Sequence, residues 1–180
     1  SRGLGDVYKR QATAGANITF STADLELNND GTTTITSGGS SNAGNISFAG
    51  AIEANGTLDV LTIVSGAGSV SFSDVIGKTH ELAGLNVNAG ETDGAGNITF
   101  SGDIGFANGV GDTDEAGVLG ATVIGNSTTN LITFAEDLYS FGTSSTNIQA
   151  KTIVLSKNAS TAAFKTAGGA NATLSFETVS

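Results

Sequence analysis

The chain has 180 residues, enough for one domain, with 17 acids against 7 bases and a net charge of −10. Nucleic-acid binding needs clustered Lys and Arg to displace phosphate counterions, and the same acidity disfavours anionic membrane surfaces, so both partners are excluded. With no Cys there are no disulfides, no thiol catalysis and no thiolate metal sites.

The first segment in chain order, residues 1–11, reads SRGLGDVYKRQ and resembles nothing that follows. It holds Arg2, Lys9 and Arg10, three of the seven bases and every Arg. It resembles translated sequencing-adaptor tails at the ends of gene fragments, and the expectation is that it is foreign to the domain. Residues 12–180 are then a single segment. The chain holds no Met, and no apolar run is long enough for a membrane span or a signal peptide. The segment therefore reads as an internal piece of a longer protein.

From Asn17 onward a short triplet recurs: Ile18-Thr19-Phe20, Ile46-Ser47-Phe48, Val70-Ser71-Phe72, Ile98-Thr99-Phe100, Ile132-Thr133-Phe134 and a degenerate Leu174-Ser175-Phe176. Starts at 18, 46, 70, 98, 132 and 174 give intervals of 28, 24, 28, 34 and 42 residues, the last wide enough to hide a weaker copy near Ala163-Phe164. Each early triplet follows a Gly/Asn turn, such as Ala43-Gly44-Asn45 or Ala95-Gly96-Asn97. Each is followed by an acid or Ala and an aliphatic residue: Asp24-Leu25, Ala51-Ile52, Asp74-Val75, Asp103-Ile104, Asp137-Leu138. A third element alternates aliphatics: Thr33/Ile35, Leu61/Ile63, Leu85/Val87 and Ile153/Leu155.

Alternation puts the Ile and Phe of each triplet on one face and Thr or Ser on the other. A three-residue strand is not stable alone. It must pair with its equivalent in the next repeat and bury its apolar face against the other two strands. Three strands per turn, at roughly 20–30 residues per turn, is the arithmetic of a parallel β-helix. The fold class expected is all-β, a solenoid of about five to six rungs. The Phe side chains would form an internal column at about 4.8 Å spacing. Insertions at Asn88 to Gly96 and Ala107 to Gly117 would loop out at turns, and the absence of Pro suits an unbroken ladder. The alternative is an antiparallel β-sandwich, whose strands would differ from one another more than these do.

From about Ala12 onward the chain resembles the β-strand-repeat passengers of large bacterial surface proteins, the filamentous-haemagglutinin-like adhesins and autotransporter passengers. The residues that carry the likeness are the run Leu61-Thr62-Ile63-Val64-Ser65-Gly66-Ala67-Gly68-Ser69-Val70-Ser71-Phe72, Leu85-Asn86-Val87-Asn88-Ala89-Gly90, and Gly96 to Ile104. The resemblance implies a β-helix, export through an outer-membrane transporter, a secreted or cell-surface location, and an adhesive or stalk role toward host or matrix glycans or proteins. It carries over no site residues.

The sharpest chemical feature is the Asp set, Asp24, Asp74, Asp103 and Asp137. Stacked at rung spacing, neighbouring carboxylates would repel by about 0.9 kcal/mol per pair in water. A calcium-binding ladder is one reading, and Asp side chains accepting backbone hydrogen bonds at turns is the simpler one. Asp112, Asp114 and Glu115 form a second candidate calcium loop, although EF-hand and calcium-roll spacings are missing. Calcium is thus the one candidate cofactor. His80, the only histidine, sits in a turn and cannot build a multi-histidine site. The paired acids Glu136 and Asp137 keep a polysaccharide hydrolase or lyase open as an alternative function, but the only Arg residues to hold an acidic sugar lie in the first eleven residues. A surface-layer or matrix component is a third alternative. The Thr-rich stretch Thr32 to Thr36 is too irregular across repeats for an ice-binding array. Sequons such as Asn17-Ile18-Thr19 follow from the repeat itself. The sequence is read as a non-enzyme without a catalytic residue.

Overall fold

The computed structural model describes residues 10–11, 15–21, 23–38, 44–55, 58–90, 96–105, 116–156, 163–166 and 173–178. A two-residue strand, β1 (Arg10–Gln11), comes first. Six three-sided rungs then follow. The first is β2 (Ile18–Phe20), β3 (Leu25–Leu27) and β4 (Thr32–Thr36). The second is β5 (Ile46–Phe48), β6 (Ile52–Ala54) and β7 (Val60–Val64). The third holds β8 (Val70–Phe72) and β9 (Gly84–Val87), and the fourth β10 (Asn97–Phe100) and β11 (Thr122–Gly125). The fifth is β12 (Leu131–Phe134), β13 (Leu138–Phe141) and β14 (Thr146–Ala150), and the sixth β15 (Thr152–Leu155), β16 (Ala163–Thr166) and β17 (Leu174–Thr178).

All strand pairs among the described residues are parallel. One sheet, of first strands, runs β2-β5-β8-β10-β12-β15, another, of β1 and the third strands, β1-β4-β7-β9-β11-β14-β17, and the second side, between them in chain order, carries β3-β6 and β13-β16. The chain is a parallel β-helix, as the triplet arithmetic requires, and the antiparallel sandwich is overturned by the parallel registers. Five triplets stack residue for residue: Ile18 on Ile46, Ile46 on Val70, Val70 on Ile98, Ile98 on Ile132.

The aromatic column follows. Phe20, Phe48, Phe72, Phe100 and Phe134 have successive ring centroids 4.8, 5.3, 4.7 and 5.2 Å apart, with interplanar angles under 10°. The strand spacing of about 4.8 Å sets this distance, so the rings have no freedom to adopt the edge-to-face geometry they otherwise favour. Each buried ring contributes about 1.5–3 kcal/mol. The stack ends because Leu155, not an aromatic residue, follows Phe134 in its sheet; Tyr139 meets Phe134 edge-on at 70°, and Phe164 stacks on Tyr139.

The sixth rung corrects the triplet count. Leu174-Ser175-Phe176 is β17 and pairs with β14, so it belongs to the third-strand sheet. The sixth member of the triplet sheet is Thr152–Leu155, with Ile153 on Ile132 and Leu155 on Phe134. Ala163-Phe164 is a second-strand segment, on Leu138 and Tyr139. The physical reason is the corner. Only Lys151 separates β14 from β15, so the Gly/Asn turn that marks earlier boundaries is missing.

The second side is regular in rungs one, two, five and six but broken in between. Single bridges carry two inward columns there, Ile52-Ile76-Ile104-Tyr139 and Leu82-Val118-Phe141. Ile76 and Leu82 are split by a loop at residues 77–81, and Ile104 and Val118 by a longer insertion, whereas β13 carries both Tyr139 and Phe141. The ladder on either flank keeps its register across these interruptions. The centres of the two insertions expected from sequence, residues 91–95 and 106–115, lie outside the described residues.

Several corners are packed too tightly for a side chain, among them the two that precede β8 and β10. A Cβ on Gly96 would run into the Gly68 carbonyl, and one on Gly68 into that of Gly44. This glycine column lets the backbone turn into the triplet strand at the same place in successive rungs.

Candidate functional site

The register places the four Asp residues in two positions, not one column. Leu25 stacks on Ile52, Ile52 on Ile76, Ile76 on Ile104 and Ile104 on Tyr139. Asp24 and Asp103 therefore directly precede an inward residue, with Ala51 and Val75 between them in the stack. Asp74 and Asp137 stand one residue earlier, level with Gly50 and Gly102. The expected single column is corrected. Val75 and Leu138 imitate the inward aliphatic residue in sequence, but Ile76 and Tyr139 occupy that place.

Asp24, Asp103 and Asp74 each accept a backbone hydrogen bond. Asp24 Oδ1 accepts the Ala51 amide at 3.0 Å, and Asp103 Oδ1 accepts the Leu138 amide at 3.0 Å. Each acceptor reaches the register-equivalent residue of the next rung, extending the ladder past the strand end. Asp74 Oδ1 instead accepts from its own neighbour, the Val75 amide, at 2.8 Å. The same device operates before the triplets. Asn17 Oδ1 accepts the Asn45 amide, Asn45 Oδ1 the Ser69 amide, both at 2.9 Å, and Ser69 Oγ the Asn97 amide at 3.3 Å. Each such bond is worth about 0.5–1.5 kcal/mol, somewhat more where the acceptor is charged.

A shallow groove of about 300 Å³ gathers Asp74 and Asp103 with Glu136, Lys78, Ser73 and Ser101. Two adjacent rungs supply Asp74 and Asp103, the loop at residues 77–81 supplies Lys78, and the turn before β13 supplies Glu136. Tyr139 lies beneath, fully buried, and its hydroxyl oxygen accepts the Glu136 amide at 2.7 Å. Burial pushes the Tyr139 phenol up to about 12, and the Asp103 and Glu136 carboxylates add to the effect. Asp137 lies near this turn but does not line the groove. Among the described residues no group of three His, Cys, Asp or Glu is arranged to hold a metal ion. Asp112, Asp114 and Glu115 lie outside the described residues.

His80 is exposed in the loop, where its amide and that of Thr79 donate to Glu53 Oε2 at 2.9 and 3.1 Å. Glu53 thus anchors the loop that carries Lys78. Its signal was in the sequence: Glu26 and Glu53 occupy the same place in successive second strands.

A buried polar corner also went unread. Asn88 Oδ1 accepts the Ser65 amide at 2.9 Å, and Asn88 Nδ2 donates to Ser65 Oγ at 2.8 Å. One rung on, Asn126 Nδ2 donates to the carbonyls of Asn88 and Gly90 at 2.8 and 2.6 Å. Asn88 has a φ of 48°, which Asn tolerates better than most residues. An Asn directly after a third strand was the available signal.

The site thus defines a class by architecture, the parallel β-helix, with polar ladders at its corners and a mixed-charge groove. No family model, curated protein or solved structure matches the chain.

Proposed function

We propose that the chain is a structural, adhesive-type passenger segment of a large secreted or cell-surface bacterial protein, acting as stalk or low-specificity binding surface. The observation that carries this reading is the unbroken register of one sheet through six rungs. A ladder of this kind spans distance with local contacts alone, each rung needing only its neighbours. The outward face of that sheet supports a surface role. Thr19, Ser47, Ser71, Thr99 and Thr133 stand in one row, uncharged and hydroxyl-bearing. Antibody raised against the segment should label intact cells that carry the parent gene; labelling only after lysis would sink the reading.

The groove favours a second reading, an extracellular β-helix carbohydrate-active enzyme. Asp74, Asp103 and Glu136 offer carboxylates for acid and base roles, and Lys78 a cation to hold an acidic sugar. Screening on plant and algal polysaccharides tests it. Product formation abolished by Asp103→Asn would favour the enzyme over the stalk.

A further inference from the structure

The loop at residues 77–81 is pinned at both ends against one carbonyl. Gly77 is buried with a φ of 67°, and a Cβ on it would run into the Gly117 carbonyl. At the far end the Leu82 amide donates to that same carbonyl at 3.0 Å, and Leu82 is fully buried. The Gly77 amide is held as well, donating to the Ile52 carbonyl at 2.8 Å. Ends fixed this close together make the residues between them a compact surface loop. Lys78, Thr79 and His80 in it are exposed.

The middle of the loop is held from the second rung. Glu53 Oε2 accepts the Thr79 amide at 3.1 Å and the His80 amide at 2.9 Å. The Ala54 amide adds a longer bond to the His80 carbonyl, at 3.3 Å. Two consecutive amides thus converge on one carboxylate oxygen, and a charged acceptor strengthens both bonds. Glu53 does not line the groove. Lys78, the residue before the held pair, does, together with Asp74, Asp103 and Glu136.

We propose that residues 77–81 form a strap with two positions, and that Glu53 is the latch that keeps Lys78 in the groove. With the strap latched, the groove holds three carboxylates and one ammonium. With the strap released, residues 78–81 swing out between their pinned ends and the three carboxylates remain without that ammonium. The strap therefore sets the charge that a ligand meets, while the rungs beneath stay as they are. Gly77 serves as the pivot because its left-handed backbone costs glycine little. The device concerns the shape and charge of the groove alone, and it holds whether the chain serves as a stalk or as an enzyme.

Two measurements on the full chain test the proposal. Residue-resolved hydrogen exchange reads the latch. Carbodiimide coupling of the Lys78 amine to groove carboxylates, mapped by mass spectrometry, reads the groove. In the wild type the Thr79 and His80 amides should be protected, and Lys78 should couple to Asp74, Asp103 or Glu136. Glu53→Ala should speed exchange of both amides by roughly tenfold or more and cut the coupling by a similar factor. Glu53→Gln keeps an oxygen where both amides converge and should restore most of the protection. Glu26→Ala removes the register partner of Glu53 and should change neither reading. Lys78→Ala should leave both amides protected, because the latch does not run through the groove. The Leu82 amide, at a pinned end, should stay protected in every variant. Coupling in Glu53→Ala equal to that of the wild type overturns the proposal. So do unprotected Thr79 and His80 amides in the wild type, their release by Lys78→Ala, or loss of Leu82 protection in Glu53→Ala.

Discussion

The triplet side and the second side of the solenoid are built from the same rungs but obey different rules. On the triplet side every rung contributes a strand, and the five Phe rings stack within 10° of parallel. On the second side, among the described residues, two rungs hold single bridges, the loop at residues 77–81 interrupts one of them, and the groove with its charged side chains sits there. Repetition supplies the core energy, and departure from repetition supplies the chemistry. A ladder tolerates this division because each rung depends on its neighbours on all sides, so one regular sheet can hold register across an interrupted one.

The largest effect should come from breaking the regular side. Phe72→Ala removes a ring packed between Phe48 and Phe100 and should cost about 3–5 kcal/mol, read by urea denaturation. A loss below 1 kcal/mol would mean that the column carries little of the core. Next is the corner feeding that side. Gly96→Ala forces a Cβ against the Gly68 carbonyl and should cost about 1–3 kcal/mol.

On the interrupted side the effects should be smaller. Asp103→Ala leaves the Leu138 amide without its acceptor and should cost about 1–3 kcal/mol, toward the lower end where water can reach the amide, whereas Asp103→Asn keeps a carbonyl oxygen in place and should cost less. Equal losses would show that the charge matters more than the bond. Thr122→Val should go the other way. The Thr122 hydroxyl is buried in the core without a hydrogen-bond partner, so an isosteric methyl should raise stability by about 1 kcal/mol, visible as a higher Tm.

Tyr139 has the smallest effect at neutral pH. Its folded pKa, about 12, lies above the ordinary 10.0, so the neutral phenol is favoured by folding. That stability is fully present below pH 10 and is lost as pH rises from 10 through about 12. The alkaline limb of unfolding should therefore flatten in Tyr139→Phe relative to the wild type.

Legibility in the sequence follows the same division. The Ile-x-Phe triplets announced their sheet because a Gly/Asn turn preceded the early copies and period-2 alternation fixed the inward face. The sixth rung was misread because Thr152–Leu155 enters after a one-residue corner and looks like any alternating apolar strand. Leu174-Ser175-Phe176 imitates a triplet for the same reason. The Asp set was misaligned by one residue in two rungs, because an aliphatic residue beside an Asp does not reveal which way it points. The groove was half legible. Asp74, Asp103 and Glu136 stood out as acids, but Lys78 joins them from a non-periodic loop whose course no pattern encodes, although the Glu53 that holds it repeats Glu26.

The central claim is the in-register parallel stack, and the absence of Cys allows a direct check by paired cysteines. Ser71 and Thr99 are register partners in adjacent rungs, so their Cα atoms lie within disulfide reach, whereas Ser47 and Thr99 are two rungs apart, roughly 9.6 Å, beyond it. Ser71→Cys with Thr99→Cys should crosslink quantitatively within one chain on mild oxidation, and Ser47→Cys with Thr99→Cys should not. Crosslinking of the second pair in preference to the first would contradict the β-helix.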